Sequence, residues 1–528
     1  MSHMMRLDGW MKEPRERSRR LPKLVLATTL VVLLQPAAAR ADDAMEARVK
    51  AITAELEVYV QNGMTAFDNP GLALGIVAGD KLVYAKGFGV RSKGGEPVDT
   101  DTVFQIGSTT KAFLATTMAI AADRQKLAWD ARVVDLDADF QMKDPWVTSE
   151  FRVFDLLAQR SGMPAYANDA MGLLGADQPA MIRAMRHVDP ASSFRSTFAY
   201  TNVTHMLAER IVAKQLGATD WDTVVRTEIF DPLGMSNTSL TAEAIQAAPN
   251  HTEGHRWDPS GTVQVPFTPI FPYGFGAAGA INSNIADLSK WMRLHLADGE
   301  FEGRQIVSAA NLAVTKTPRV GISDKVSYAM GWVIQSTPNG RYVWHNGGTT
   351  AFGSFIGTAP DHDVGVIVLT NETNVGFPDA IGEWTLDRLL DNPMVDHVAN
   401  RLKAAKAGFE ASSTLGAIPA ERQPPTLLAP LVGDYDSPSF GPATVSQDQG
   451  VLRIHLSSTG AVLALDDRGG QAFNASLVPE GRFAAVAANI GPGPVGLLQF
   501  ETDAKGGIGS FRFMDADNGQ EYRFTRRP

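Results

Sequence analysis

The order of its β-rich and helix-rich stretches is what most narrows the fold of this chain. Gly71-Leu-Ala-Leu-Gly-Ile-Val77 and Lys81-Leu-Val-Tyr-Ala-Lys-Gly-Phe88 flank Gly79-Asp80, the pattern of two strands joined by a tight hairpin turn. Apolar residues recur at helical spacing over Ala44–Phe67. Residues 110–310 are mostly helical or irregular, with frequent Gly, Pro and Asn breaks. β-rich runs return at Tyr328–Ile334, Tyr342–His345, Ser354–Thr358 and Val364–Leu369, followed by helical patterns over Asp379–Asp391 and Val398–Phe409. Strands first and last with helices between predict an α+β domain whose antiparallel sheet pairs its N- and C-terminal strands. Residues 411–427 have the composition of a linker. After it, short alternating segments such as Val451–Leu456 and Ser510–Phe513, split by Gly, Asp and Asn turns, predict a small all-β barrel or sandwich over 428–528.

The 528 residues exceed one average domain, and the formal net charge is −10. No basic stripe follows the first 25 residues, which argues against a nucleic-acid partner, because phosphate binding needs clustered Lys and Arg. The absence of cysteine removes thiol nucleophiles, cysteine zinc sites and disulfides. At the N-terminus, Lys12, Arg15, Arg17, Arg19, Arg20 and Lys23 precede an apolar run from Leu24 to Leu34 and the small residues Ala37-Ala-Ala-Arg-Ala41. This is the pattern of a signal peptide over 1–41, cut after Ala41. It predicts a periplasmic or secreted protein without a stable membrane span, since the apolar run is short for a spanning helix. The mature chain then divides at 42–410, 411–427 and 428–528.

Chemistry concentrates at Ser108-Thr-Thr-Lys111, where a β-type approach runs into a helical pattern. A helix start favours negative charge. Lys111, three residues on, shares a helix face with Ser108. A serine hydroxyl becomes a useful nucleophile when a neighbour takes its proton, and a buried, neutral lysine can do so. By itself Ser-x-x-Lys also suits an ordinary helix cap. Two further segments supply partners for a hydrolase. Tyr200-Thr-Asn202 precedes a helical run, with a phenol able to pass a proton and an amide able to bond the lysine or a substrate. His345-Asn346-Gly347-Gly348 ends a strand, and the Gly348 N–H suits an oxyanion.

Ser108-x-x-Lys111, Tyr200-x-Asn202 and His345-x-Gly347, in this order and at these separations, resemble the serine β-lactamase and penicillin-binding protein superfamily. The nearest branch is the class C β-lactamase-like one, with its DD-peptidase, D-aminopeptidase and family VIII esterase relatives. Leu156–Pro164, Asp231–Met235, Ala278–Ser283 and Tyr328–Trp332 are similar as well, so that the likeness spans about residues 45–395. The tail resembles the lipocalin-like barrel appended in this branch, with Gly433-Asp-Tyr435 as its opening. Three positions depart from the pattern: Gln159 where His is usual, Thr204 where Gly is usual, and His345 where β-lactamases carry Lys.

The resemblance implies a β-lactamase-like sheet flanked by a helical region. It implies an acyl-enzyme on Ser108, with Lys111 as base and Tyr200, kept acidic by Lys111, relaying protons. Asn202, His345, Asn346, Gly347 and Gly348 would bind the substrate and its oxyanion, with no metal and no cofactor. The expected substrate is a small ester, amide or peptide. The activity is expected to be that of a carboxylesterase or D-amino-acid peptidase, with weak or no β-lactamase activity. The alternative is a catalytically silent relative that senses or binds peptidoglycan fragments. His345, mostly neutral near pH 7, is expected to serve the pocket as a hydrogen-bond donor. Other motifs lead elsewhere. Gly274-Phe-Gly276-Ala-Ala-Gly279 matches a dinucleotide fingerprint but follows a proline-rich stretch, not a strand. His251 and His255 lack the Glu of a zinc motif.

Overall fold

Gly79 and Asp80 close a two-residue hairpin in the computed structural model, which describes residues 37–415 and 426–528. The leader expected over 1–41 lies outside the described residues except for Ala37–Ala41, and the expected linker lies outside them at 416–425. Helix α1 (Ala37–Phe67) leads into β1 (Gly71–Ala78) and β2 (Lys81–Gly89). The helical region contributes α2 (Thr110–Asp123), α3 (Val203–Leu216) and α4 (Ile285–Leu296). Six strands follow: β3 (Val320–Gly321), β4 (Val326–Tyr328), β5 (Val333–Thr337), β6 (Gly340–Gly348), β7 (Gly353–Ala359) and β8 (Val364–Thr370). Then come α5 (Phe377–Leu389) and α6 (His397–Leu415).

The eight strands form one antiparallel sheet in the order β2-β1-β8-β7-β6-β5-β4-β3. β1 pairs with β8 from Leu72↔Thr370 to Ala78↔Val364, so the first and last strands meet as the element order requires. The period of two sorts their side chains. Leu72, Leu74 and Ile76 pack on one face with Leu56 and Val60 of α1 and Ile381 and Trp384 of α5. Ala73, Val77, Ile367 and Leu369 turn to the other face, toward Phe113 of α2 and Trp291 of α4, whose rings stack 3.8 Å apart. With both faces covered, β1, β7 and β8 are buried throughout, which is why they read as unbroken apolar runs. Each fully buried Leu or Ile stabilises the fold by about 1.5–3 kcal/mol.

The C-terminal segment is a closed barrel of eight antiparallel strands: β9 (Gly433–Ser437), β10 (Gly441–Asp448), β11 (Val451–Leu456), β12 (Val462–Gly469), β13 (Ala472–Leu477), β14 (Gly496–Thr502), β15 (Ile508–Asp515) and β16 (Glu521–Arg526). Closure leaves no edge strand, which suits so short a set of strands. The expected all-β barrel is therefore present. Its interior is filled: Phe440, Phe511, Phe513 and Phe524 converge with Leu174, contributed from the helical region, around a void of about 10 Å³. A void of that size holds at most one water, so the inside is a packed core and not a ligand cup. Leu174 is 2% exposed. Leu174→Ala is expected to lower the unfolding free energy by about 2–5 kcal/mol, seen as a lower urea midpoint with little change in slope.

Candidate active site

Ser108 lies on a single tight turn, Gly107–Thr109, that runs directly into α2. Gly107 has φ +53, and a β-carbon there would stand 2.7 Å from Gly348 N and 2.8 Å from Gly348 O. Only glycine permits that approach, and it sets the end of β6 beside the serine. Gly347 is pressed in the same way against Ile106 O, which a β-carbon would overlap. Ile106 O accepts from Ser354 Oγ at 2.6 Å and from Thr109 Oγ1 at 2.9 Å, so the turn is tied to the sheet.

Lys111, one turn along, is fully buried, with Nζ 3.0 Å from Ser108 Oγ. Nζ also donates to Asn202 Oδ1 at 2.8 Å and to Ala278 O at 2.7 Å, and lies 4.7 Å from the centroid of the Tyr200 ring. Burial lowers its pKa from 10.5 to about 7, against the opposing pull of Asp169. Ser108, Lys111, Tyr200, Asn202 and the Gly348 backbone are thus brought together from the Gly107–Thr109 turn, α2, the segment before α3 and the end of β6.

Three expectations change. Burial raises the Tyr200 phenol well above 10, the reverse of a phenol kept acidic by Lys111. Its oxygen is buried without a hydrogen bond of normal geometry, although the nearby Ser108 hydroxyl favours its ionised form. His345 does not face the pocket as a free donor: it is 2% exposed, and both ring nitrogens are engaged. Nδ1 lies 2.5 Å from Asn346 O, a carbonyl that only accepts, so Nδ1 carries the proton and Nε2 accepts from Tyr328 OH at 3.0 Å. Burial, with Lys111 next, lowers the His345 pKa to about 3. It holds Tyr328, whose ring meets that of Tyr200 edge-on at 6.4 Å. Asn346, the next residue on the strand, points to the opposite face and donates to Asp379 Oδ1 of α5 at 2.6 Å, away from Lys111.

The structure adds groups the motifs did not reveal. Asp169 Oδ2 accepts from Asn202 Nδ2 at 2.6 Å. Glu209 of α3 accepts from Ala277 N and so steadies the carbonyl of Ala278. Gln159, standing where His is usual, accepts from Thr201 N at 2.6 Å and Thr201 Oγ1 at 3.0 Å, anchoring the segment between Tyr200 and Asn202. Thr204 lies within 3.1 Å of Thr201 Oγ1, so the missing glycine is replaced by a hydroxyl pair. The His251 and His255 rings reach backbone carbonyls of Ala248 and Asn371, and among the described residues no three acidic or imidazole groups converge on a metal-sized site.

Residues 56–390 match the family model described as Beta-lactamase. An unguisins hydrolase of Aspergillus campestris is 27% identical over 411 residues, covering 72% of this chain and 75% of its own length. Penicillin-binding protein 4 of Amycolatopsis lactamdurans is 28% identical over 315 residues, 57% of this chain and 81% of its own. Two solved structures share the fold. The octameric penicillin-binding protein homologue from Pyrococcus abyssi superposes with a TM-score of 0.58 at 20% identity, over 89% of this chain and 99% of the other. A class C beta lactamase from Rhodobacter sphaeroides superposes with a TM-score of 0.52 at 21% identity, over 67% and 99%. The family match covers more than half of the chain and includes Ser108, Lys111, Tyr200, Asn202 and His345. This chain belongs to the Beta-lactamase family, the serine hydrolases and penicillin-binding proteins built on this fold.

Proposed function

We propose that this protein is an exported serine hydrolase that opens a small ester or amide through an acyl-enzyme on Ser108. One observation carries the reading: the three neighbours of Lys111 Nζ are two acceptors and one hydroxyl. A neutral amine has two N–H groups and one lone pair. Asn202 Oδ1 and Ala278 O take the two N–H groups, and the lone pair is left for the proton of Ser108. With a pKa lowered to about 7, a large share of Lys111 is neutral at physiological pH.

In this scheme Lys111 Nζ takes the Ser108 proton as Oγ bonds the substrate carbonyl carbon. The N–H groups of Ser108 and Gly348 face the oxyanion, each such donor being worth about 3–4 kcal/mol. Tyr200, protonated in the resting site, gives its proton to the departing alkoxide or amine and is reprotonated from the Lys111 ammonium. Neutral Lys111 then activates water against the acyl-enzyme, and the acid leaves with Ser108 restored. The substrate preference follows from charge. His345 is buried and neutral, so position 345 supplies no second cation to attract a substrate carboxylate. Uncharged esters and D-amino-acid amides fit this better than β-lactams. The unguisins hydrolase relative supports turnover over silent binding.

The test is covalent labelling of Ser108 by a fluorophosphonate, with turnover of p-nitrophenyl esters, D-Ala p-nitroanilide and nitrocefin. Labelling together with hydrolysis of the first two supports the reading, and binding without acylation refutes it. Because the base works only when neutral, kcat/KM is expected to rise with pH through about 7 and to be lost below it. A pH profile flat from 5 to 9 would remove Lys111 from that role. Export is checked by N-terminal sequencing of the mature protein, with a start after Ala41 expected.

A further inference from the structure

The proposed hydrolase activity needs Lys111 to be oriented as well as neutral, and the role inferred for its neighbours rests on that reading. A carboxamide fits a pocket almost equally well either way round, since its two ends have nearly the same shape. Only one way serves Lys111. Asn202 Nδ2 donates to Asp169 Oδ2 at 2.6 Å, which leaves Oδ1 to accept from Nζ at 2.8 Å. Reversed, the amide would set an N–H against Nζ. One amine hydrogen would lose its acceptor, and the lone pair would turn from Ser108 toward Asn202.

Asp169 opens the short helix Asp169–Leu173, which the barrel grips at both ends. At its start, Asn168 is held with φ +67 by a reciprocal pair: its N–H donates to Gln520 Oε1 at 2.9 Å, and its Oδ1 accepts from Gln520 Nε2 at 2.9 Å. Gln520 is only 8% exposed. Asn518 Nδ2 adds a bond to Tyr166 O at 3.1 Å. At the other end, Leu174 sits in the apolar interior of the barrel, and Arg482 donates to Gly175 O at 3.3 Å. Tyr166 N in turn donates to Tyr200 O at 2.6 Å, which joins the gripped loop to the Tyr200–Asn202 segment.

We infer that Asp169 is a positioning residue for Lys111, fixing the amide of Asn202 in its working orientation, and that the C-terminal barrel holds Asp169 in place for this purpose. The barrel is then a working part of the site and not an appendage. Every element around Asp169 brings a titratable group toward it: Lys111 from α2, Tyr200 from before α3, Tyr166 from its own loop, and Asp515, Asp517 and Tyr522 from the β15–β16 hairpin. Burial, chiefly, pushes the carboxyl of Asp169 up to about 8, with Asn202 and Lys111 opposing. Its Oδ1 is buried without a hydrogen bond, so Asn202 is the partner it serves.

The experiment compares full-length Asp169→Leu, Asp169→Asn and Gln520→Ala with wild type and Ser108→Ala, each checked for a cooperative thermal transition. Asp169→Leu removes the acceptor, and kcat is expected to fall ~10²-fold with KM nearly unchanged, the scale of a misplaced catalytic group. Asp169→Asn keeps an acceptor oxygen of the same shape and should restore kcat to the wild-type order. Its acid limb should stay close to that of wild type, because a carboxyl pushed up to about 8 carries little charge near pH 7. Gln520→Ala should lower kcat in the same sense as Asp169→Leu, but by less. A folded Asp169→Leu with wild-type kcat and pH profile overturns the inference, as does Asp169→Asn as slow as Asp169→Leu. Wild-type kcat in Gln520→Ala overturns the part assigned to the barrel. If Ser108→Ala itself turned over normally, it is the hydrolase reading that would fall.

Discussion

Ser108→Ala and Lys111→Ala are each expected to reduce turnover by on the order of 10⁴-fold or more, with the fold intact. In the proposed scheme the serine supplies the bond to the acyl group and the lysine, 3.0 Å away, the amine that takes its proton. Because the two act as one unit, the double variant should be no slower than either single one. Lys111→Ala leaves Asn202 Oδ1 and Ala278 O without their buried donor, a cost of about 1–3 kcal/mol for each group that water does not reach. Denaturation curves must therefore accompany the kinetics. Tyr200→Phe should lower kcat by ~10²–10⁴-fold while KM changes little, since the phenol acts on the leaving group and not on the resting substrate. Near-normal activity in Ser108→Ala would end the assignment.

His345→Lys carries the other large expected effect, and the structure reverses its sign. Read as a pocket residue, this change would add a cation for substrate carboxylates and favour nitrocefin. In the fold, His345 is buried, and Lys111 is among the groups that lower its pKa. A lysine there must either ionise without a counter-charge beside another amine, which also deprives the Tyr328 hydroxyl of its acceptor, or remain neutral. A loss of about 3–5 kcal/mol in unfolding free energy is expected, the scale of an uncompensated buried charge. Activity toward nitrocefin and p-nitrophenyl butyrate should fall together. A stable variant with a gain confined to nitrocefin would show that position 345 does reach the substrate.

Much of this protein is legible in its sequence. Strand order at the two ends of the catalytic region determined the sheet, because an apolar run as continuous as Val364–Leu369 needs cover on both faces. Ser108 and Lys111 were legible for a local reason: residues three apart on a helix meet whatever the rest of the chain does. Tyr200 and Asn202 carried their motif in the same local way. The tertiary structure alone decided the states of these groups. A pKa of about 7 for Lys111 and a phenol raised at Tyr200 depend on how far each is taken out of water, and no motif encodes that. Alternation along β6 put His345 and Asn346 on opposite faces, but only the packed helices and Tyr328 made one inward and inert and tied the other to α5. Asp169 joined the site through a contact with Asn202 33 residues away, and through a barrel hairpin more than 300 residues further on. Contacts at that separation come from the closure of the whole chain, and local pattern holds no trace of them.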